Sequence, residues 1–95
     1  MKIYSVYDSK GEFFDKPFIQ RNAADAVRGF EMAVNGDHDS MIKRFPADYT
    51  LFEIGEWDDM TGTAVMHSAK INLGTGLQLQ KDKKAPIQGI QSLPV

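Results

Sequence analysis

Two hydrophobic periods alternate along the chain. From Lys2 to Asp8 the residues Ile3, Tyr4, Val6 and Tyr7 are good β-formers, and Asp8-Ser9-Lys10-Gly11 supplies the turn chemistry that ends a strand. A second strand is predicted from Phe13 to Gln20. On a period of two, Phe14, Phe18 and Lys16 share one face while Phe13, Asp15, Pro17 and Ile19 share the other. Pro17 cannot donate to a ladder, so this strand lies at a sheet edge or is broken there. At Asn22 the period becomes helical. Ala23, Ala26, Val27, Phe30, Ala33 and Val34 form a single apolar stripe. Asn22 reads as the N-cap, Asp25 sits at N3 near the positive end of the helix dipole, and Asn35-Gly36 closes the helix. The outward face carries Arg28, Glu31 and Met32. Gly29 weakens the helix by about 1 kcal/mol relative to alanine. Met32 beside it reads either as ordinary surface or as close packing on another chain.

Asp37 to Phe45 is less regular, with Ser40 placed to cap one short turn before Pro46 stops it. The densest β signal follows. Pro46 to Trp57 is rich in aromatic and branched residues, Asp58-Asp59-Met60-Thr61-Gly62 interrupts it, and Thr63-Ala64-Val65-Met66 resumes it, as in a hairpin with a longer turn. A lone ribbon is not stable in water, so the other segments must add strands and a covering helix. His67 to Leu73 either extends the last strand or begins another. Gly74-Thr75-Gly76 punctuates the chain before Leu77-Gln78-Leu79, a short alternating segment. The predicted fold is α+β: a small antiparallel sheet in the order β-β-α-β-β, covered on one side by one main helix. Residues 1–80 make a single domain, and residues 81–95, which lack periodicity, form a flexible C-terminal tail. The uncovered sheet face is left to solvent or to a partner.

Composition narrows the class. Ninety-five residues, 42% hydrophobic and 11% aromatic, suffice for one globular core. With no cysteine there is neither a disulfide framework nor a thiolate metal site. No apolar run approaches the roughly twenty residues that span a bilayer, and Met1 to Tyr7 is too short and polar for a signal peptide. A soluble cytoplasmic protein with no membrane partner is expected. The net charge is −2, unlike the usual basic nucleic-acid binder. Its distribution is uneven: residues 1–36 are neutral, 37–66 carry −5 and 67–95 carry +3. Such a division suits head-to-tail contact between copies or phosphate contact on one face, and is also what ordinary solvated charge can look like.

The motifs of catalysis are missing. His38 and His67 each lack a second histidine at metal-ligand spacing. The acids Asp37 and Asp39, and Asp58-Asp59, fall in predicted turns, where aspartate is favoured for local hydrogen bonds. Gly74-Thr75-Gly76 lacks the strand-to-helix setting of a phosphate cradle, and no serine has the setting of a nucleophile. A protein that is not an enzyme, with no cofactor and no metal, is expected.

What remains is surface. Ten aromatic residues lie mostly on predicted strands, interleaved with Lys2, Lys10, Lys16, Arg21, Lys43 and Arg44. Single-strand binders combine rings that stack on bases with cations that follow phosphates. Phe14, Phe30, Phe45, Phe52 and Ile54 are expected in the core, and Tyr4, Tyr7, Tyr49 and Trp57 are expected to be exposed. The candidate nucleic-acid contacts are Lys2, Lys16, Arg21, Lys43 and Arg44 for phosphate, with Tyr4, Tyr7 and Trp57 for stacking.

Several of these residues also carry a resemblance. Val6-Tyr7-Asp8-Ser9-Lys10, the Pro17-Phe18 step before an alanine-rich helix, and above all Pro46-x-Asp48-Tyr49-x-Leu51-Phe52-x-Ile54-Gly55-x-Trp57-Asp58 resemble the small non-structural protein of gokushoviruses, the single-stranded DNA microviruses of bacteria. The likeness covers roughly residues 1–80, and Asn72-Leu73-Gly74 is similar to that family's Ser-Leu-Gly step. The resemblance implies a DNA-binding protein of the infected bacterium's cytoplasm, absent from the mature virion. Its implied role is in genome replication or the switch to making and packaging single strands. A dimer that coats single-stranded DNA without reading sequence is the first expectation. A module that engages capsid, replication or host proteins through the open sheet face is the second, favoured by Glu53, Glu56, Asp58 and Asp59. Mimicry of DNA by that acidic face is a third.

Overall fold

The computed structural model describes residues 1–81. The tail expected over residues 81–95 therefore lies, except for Lys81, outside the described residues. Five antiparallel strands form one sheet: β1 (Lys2–Asp8), β2 (Phe13–Phe14), β3 (Phe18–Gln20), β4 (Tyr49–Asp58) and β5 (Thr63–Thr75). Three helices accompany it, α1 (Ala23–Asn35), α2 (Met41–Arg44) and α3 (Gly76–Leu79), with a 3-10 turn at Pro46–Asp48. The spatial order is β2-β1-β4-β5, and β3 also pairs with β1, beyond β2 on the same side. The α+β architecture read from the sequence is the one observed.

The strand expected from Phe13 to Gln20 is split at Pro17. β2 pairs Tyr7 with Phe14, whereas β3 pairs Tyr4 with Phe18, so three steps along β1 are matched by four on the other chain segment. The side-chain period is two, and one extra residue moves everything beyond it to the opposite face. Phe14 and Phe18 therefore do not share a face. Phe18 packs on Tyr4, with ring centroids 5.8 Å apart, while Phe14 lies on the other side with Tyr7. The irregular step is fastened rather than loose: the Asp15 amide donates to the Val6 carbonyl at 2.9 Å, and the Ser5 hydroxyl donates to the Asp15 carbonyl at 2.7 Å.

Helix α1 follows the predicted stripe. The Asn22 side chain accepts the Asp25 amide at 2.9 Å, and Ala26, Phe30 and Val34 are buried. They meet Tyr4 and Leu51 in the core, and Val6, Phe18, Val27, Ile42, Tyr49, Leu73 and Leu79 pack around that cluster. Ile42 of α2 and Leu79 of α3 belong to this shell, so all three helices close on the same face of the sheet. Full burial of a side chain such as Leu51 is worth about 1.5–3 kcal/mol.

Leu77 to Leu79 departs from the expected alternating segment, because it is the helix α3. Thr75 accepts the Gln78 amide at 3.0 Å and Gln78 Oε1 accepts the Thr75 amide at 2.9 Å, a reciprocal capping box. Gly76 makes this possible, since a Cβ there would stand 2.6 Å from the Pro46 carbonyl oxygen. Asn35 fastens the end, donating to the Leu79 carbonyl at 3.1 Å and accepting the Lys81 amide at 2.7 Å. His67 to Leu73, left open between two readings, continues β5.

Candidate functional site

Alternation along β1 sends Tyr4 to the helices and Tyr7 to the opposite face. There Tyr7 meets Phe14 of β2 at a centroid distance of 4.7 Å, and Phe14 meets Phe52 of β4 edge-on at 5.7 Å. The Lys70 ammonium of β5 stands 5.4 Å from the centre of the Phe14 ring, within cation–π range. Four strands thus contribute one residue each to a single cluster, and Phe14 remains 42% exposed. No helix covers this face among the described residues.

Sequence reasoning missed three of these four. Phe14 and Phe52 were expected in the core and Lys70 was not singled out. The displacement at Pro17 is what takes Phe14 out of the core, and Phe45, also expected there, is exposed as well. Tyr4 moves the other way. Expected as an exposed stacking ring, it is 0% exposed, so it cannot meet a base. Its hydroxyl has no hydrogen-bond partner among the described residues, and burial, Glu53 and Asp25 raise its pKa. Tyr49 is likewise packed against the core rather than free.

The predicted cations do not converge on the aromatic face. Lys2 pairs with Glu56 at 3.0 Å, which raises the Lys2 pKa and lowers that of Glu56. Arg21 pairs with Asp25 at 2.9 Å, one helical turn along. Arg44 forms a two-pronged contact with Asp39, holding that carboxyl below its usual range, and Lys43 donates through Nζ to the Gly36 carbonyl at the end of α1. Lys16 is exposed in the connection between β2 and β3. Trp57, half-buried, lies at the far end of β4 in a cleft with Met1, Glu56, Asp58, Asp59 and Val65. Its amide donates to the Met1 carbonyl at 2.9 Å. Three carboxylates around this ring make it a poor neighbour for phosphate. Of the eight predicted contacts, the structure brings only Tyr7 into the cluster.

On the helix-covered side, Glu53 is 8% exposed and its Oε2 lies 2.8 Å from Nε2 of His67. A carboxylate this well buried needs a hydrogen-bonding partner, and His67 provides one. The turn that follows β4 is built as expected, with Asp58 accepting the Met60 amide at 2.9 Å and Gly62 at a φ of 72°.

A small single-sheet α+β protein with one helix-covered face and one aromatic face is the class these features define. The chain belongs to the Phage ORF5 protein family, whose model matches residues 1–79. It is therefore a protein of a bacteriophage family. Comparison with curated proteins gave no match, and neither did comparison with solved structures. No helix among the described residues is long and apolar enough to cross a membrane.

Proposed function

We propose that this chain is a non-enzymatic, non-structural protein of a single-stranded DNA microvirus that binds single-stranded DNA without sequence preference. It acts in the cytoplasm of the infected bacterium, in genome replication or in the switch to single-strand synthesis and packaging, and is absent from the virion. One observation carries the reading: Tyr7, Phe14 and Phe52 share an uncovered sheet face with Lys70. Rings beside a cation on an open sheet are what a stacked base and its phosphate require, and each stacked base is worth about 1–3 kcal/mol. Membership of a phage family supports the setting. Lys2, Arg21 and Arg44 sit in ion pairs at the surface, which solvent screens and which phosphate can replace. The test is a mobility shift with poly-dT and with duplex DNA at two salt concentrations. Preference for the single strand, weakening with salt at a slope near −0.7 per phosphate, is the expected result. Equal affinity for both forms, or a flat salt response, removes the proposal.

A second reading has its own support. β5 is the outer strand on one side of the sheet, and Val65, Met66 and Ile71 are exposed along it. An open apolar edge is a template for another strand, either from a capsid, replication or host protein or from a second copy, which would give the expected dimer. Light scattering of the protein alone distinguishes self-association from a monomer waiting for a different partner.

A further inference from the structure

The pairing of β4 with β5 runs without interruption from Asp58↔Thr63 to Gly55↔Met66, then resumes at Glu53↔Ile71. One residue of β4, Ile54, is thus spanned by four of β5, His67 to Lys70. Such an excursion has lost its regular ladder and has to be held by something else. His67 opens it and Lys70 ends it. Three residues apart on extended chain, the two point to opposite sides of the sheet. His67 reaches the helix-covered side, where its Nε2 lies 2.8 Å from Glu53, and Lys70 reaches the aromatic side, over Phe14.

We infer that the Glu53–His67 contact is a strut through the sheet that positions Lys70 on the aromatic face. Glu53 is well suited to be the fixed end. It is 8% exposed, it pairs in register with Tyr4 on β1 and Ile71 on β5, and it therefore cannot move without disturbing three strands. On a period of two Ser68 falls on the side of Lys70, and Ala69 has no polar group to donate. A buried polar pair is a weak source of stability, and its best-attested use is to fix register; here the register it fixes sets which side chain faces Phe14. Glu53 and His67 are positioning residues, because they act through Lys70 and touch nothing on the aromatic face themselves. What Lys70 is positioned for rests on the DNA-binding reading, but the strut does not.

The measurement separates the two. In the full chain, the Lys70 ε-methylene protons are expected to be shifted upfield by the Phe14 ring current, and Phe14→Leu is expected to abolish that shift. His67→Leu is expected to abolish it too, while His67→Gln, which keeps a donor, retains at least half of it. The paired change Glu53→Leu with His67→Leu leaves no buried charge unpaired and covers the case in which the single leucine variant does not fold. It is expected to fold and to lose the shift. An unchanged Lys70 signal in a folded leucine variant overturns the strut. With poly-dT, Lys70→Ala and His67→Leu should each flatten the salt slope by about 0.7, and the two together by no more. A doubled loss of roughly 1.4 would mean that the residues act separately. If the unaltered protein ignores poly-dT, the DNA reading fails while the proton shift still decides the strut.

Discussion

Tyr4 and Tyr7 stand three residues apart on β1 and have opposite fates. Tyr4 is enclosed by Phe18 and the α1 cluster, with a hydroxyl that has no partner among the described residues; Tyr7 lies against Phe14 on the side that no described helix covers. The same strand therefore serves two chemistries, and the division between them is set by the pleat alone. The covered face is a packing problem, in which every lost methylene is felt. The uncovered face is open, its rings support one another at 4.7 and 5.7 Å, and it is expected to contribute less to stability.

Substitutions on the two faces should differ accordingly. The largest effect is expected at Leu51, fully buried beneath the helices: Leu51→Ala should lower unfolding stability by about 2–5 kcal/mol in urea titration. A loss below 1 kcal/mol would mean that the helices are not packed as described. On the other face, Phe14→Ala should weaken poly-dT binding by about 1–3 kcal/mol, roughly five- to 150-fold. Its urea midpoint should move far less than that of Leu51→Ala. If Phe14→Ala unfolds the protein instead, the two faces are not distinct.

Smaller effects sharpen the contrast. Tyr4→Phe removes a buried hydroxyl that has no partner among the described residues and should raise stability by about 1 kcal/mol, seen as a higher melting temperature. Asn22→Ala deletes the cap of α1 and should cost about 1 kcal/mol. The smallest signal is at the sheet's exposed rim. Lys2 holds the Glu56 carboxyl below its ordinary range, chiefly by a hydrogen bond. The sign follows from that depression: any contribution of this pair is present above the ordinary glutamate pKa and is lost as pH falls through the lowered one. In an NMR titration, Lys2→Met should return Glu56 towards its usual value.

How much of this was legible in the sequence depends on the range of the determinant. β1 and α1 were readable to the residue, because Asn22, the apolar stripe and Asn35-Gly36 are local signals. Pro17 announced a broken or marginal strand, yet the sequence could not say by how many residues the break shifts the register. That single residue decides whether Phe14 is core or surface. Lys70 was invisible for a related reason: its position depends on an excursion measured against β4, a strand that it meets only in three dimensions. Tyr4 was misassigned because a tyrosine on a short strand carries no mark of which side the helix will choose. The capping box Thr75-x-x-Gln78 was present in the sequence and was masked by the flanking glycines, which suggested a turn.

The interruption at Pro17 also limits what the molecule can build. A sheet grows by adding strands at its margins, and on the β1 side that margin consists of two short pieces with a proline between them. Among the described strands, only β5 offers an extended rim. Two copies joined there would each consume the one competent border that the described strands present, so lateral growth of this sheet terminates at a pair instead of propagating into a fibre.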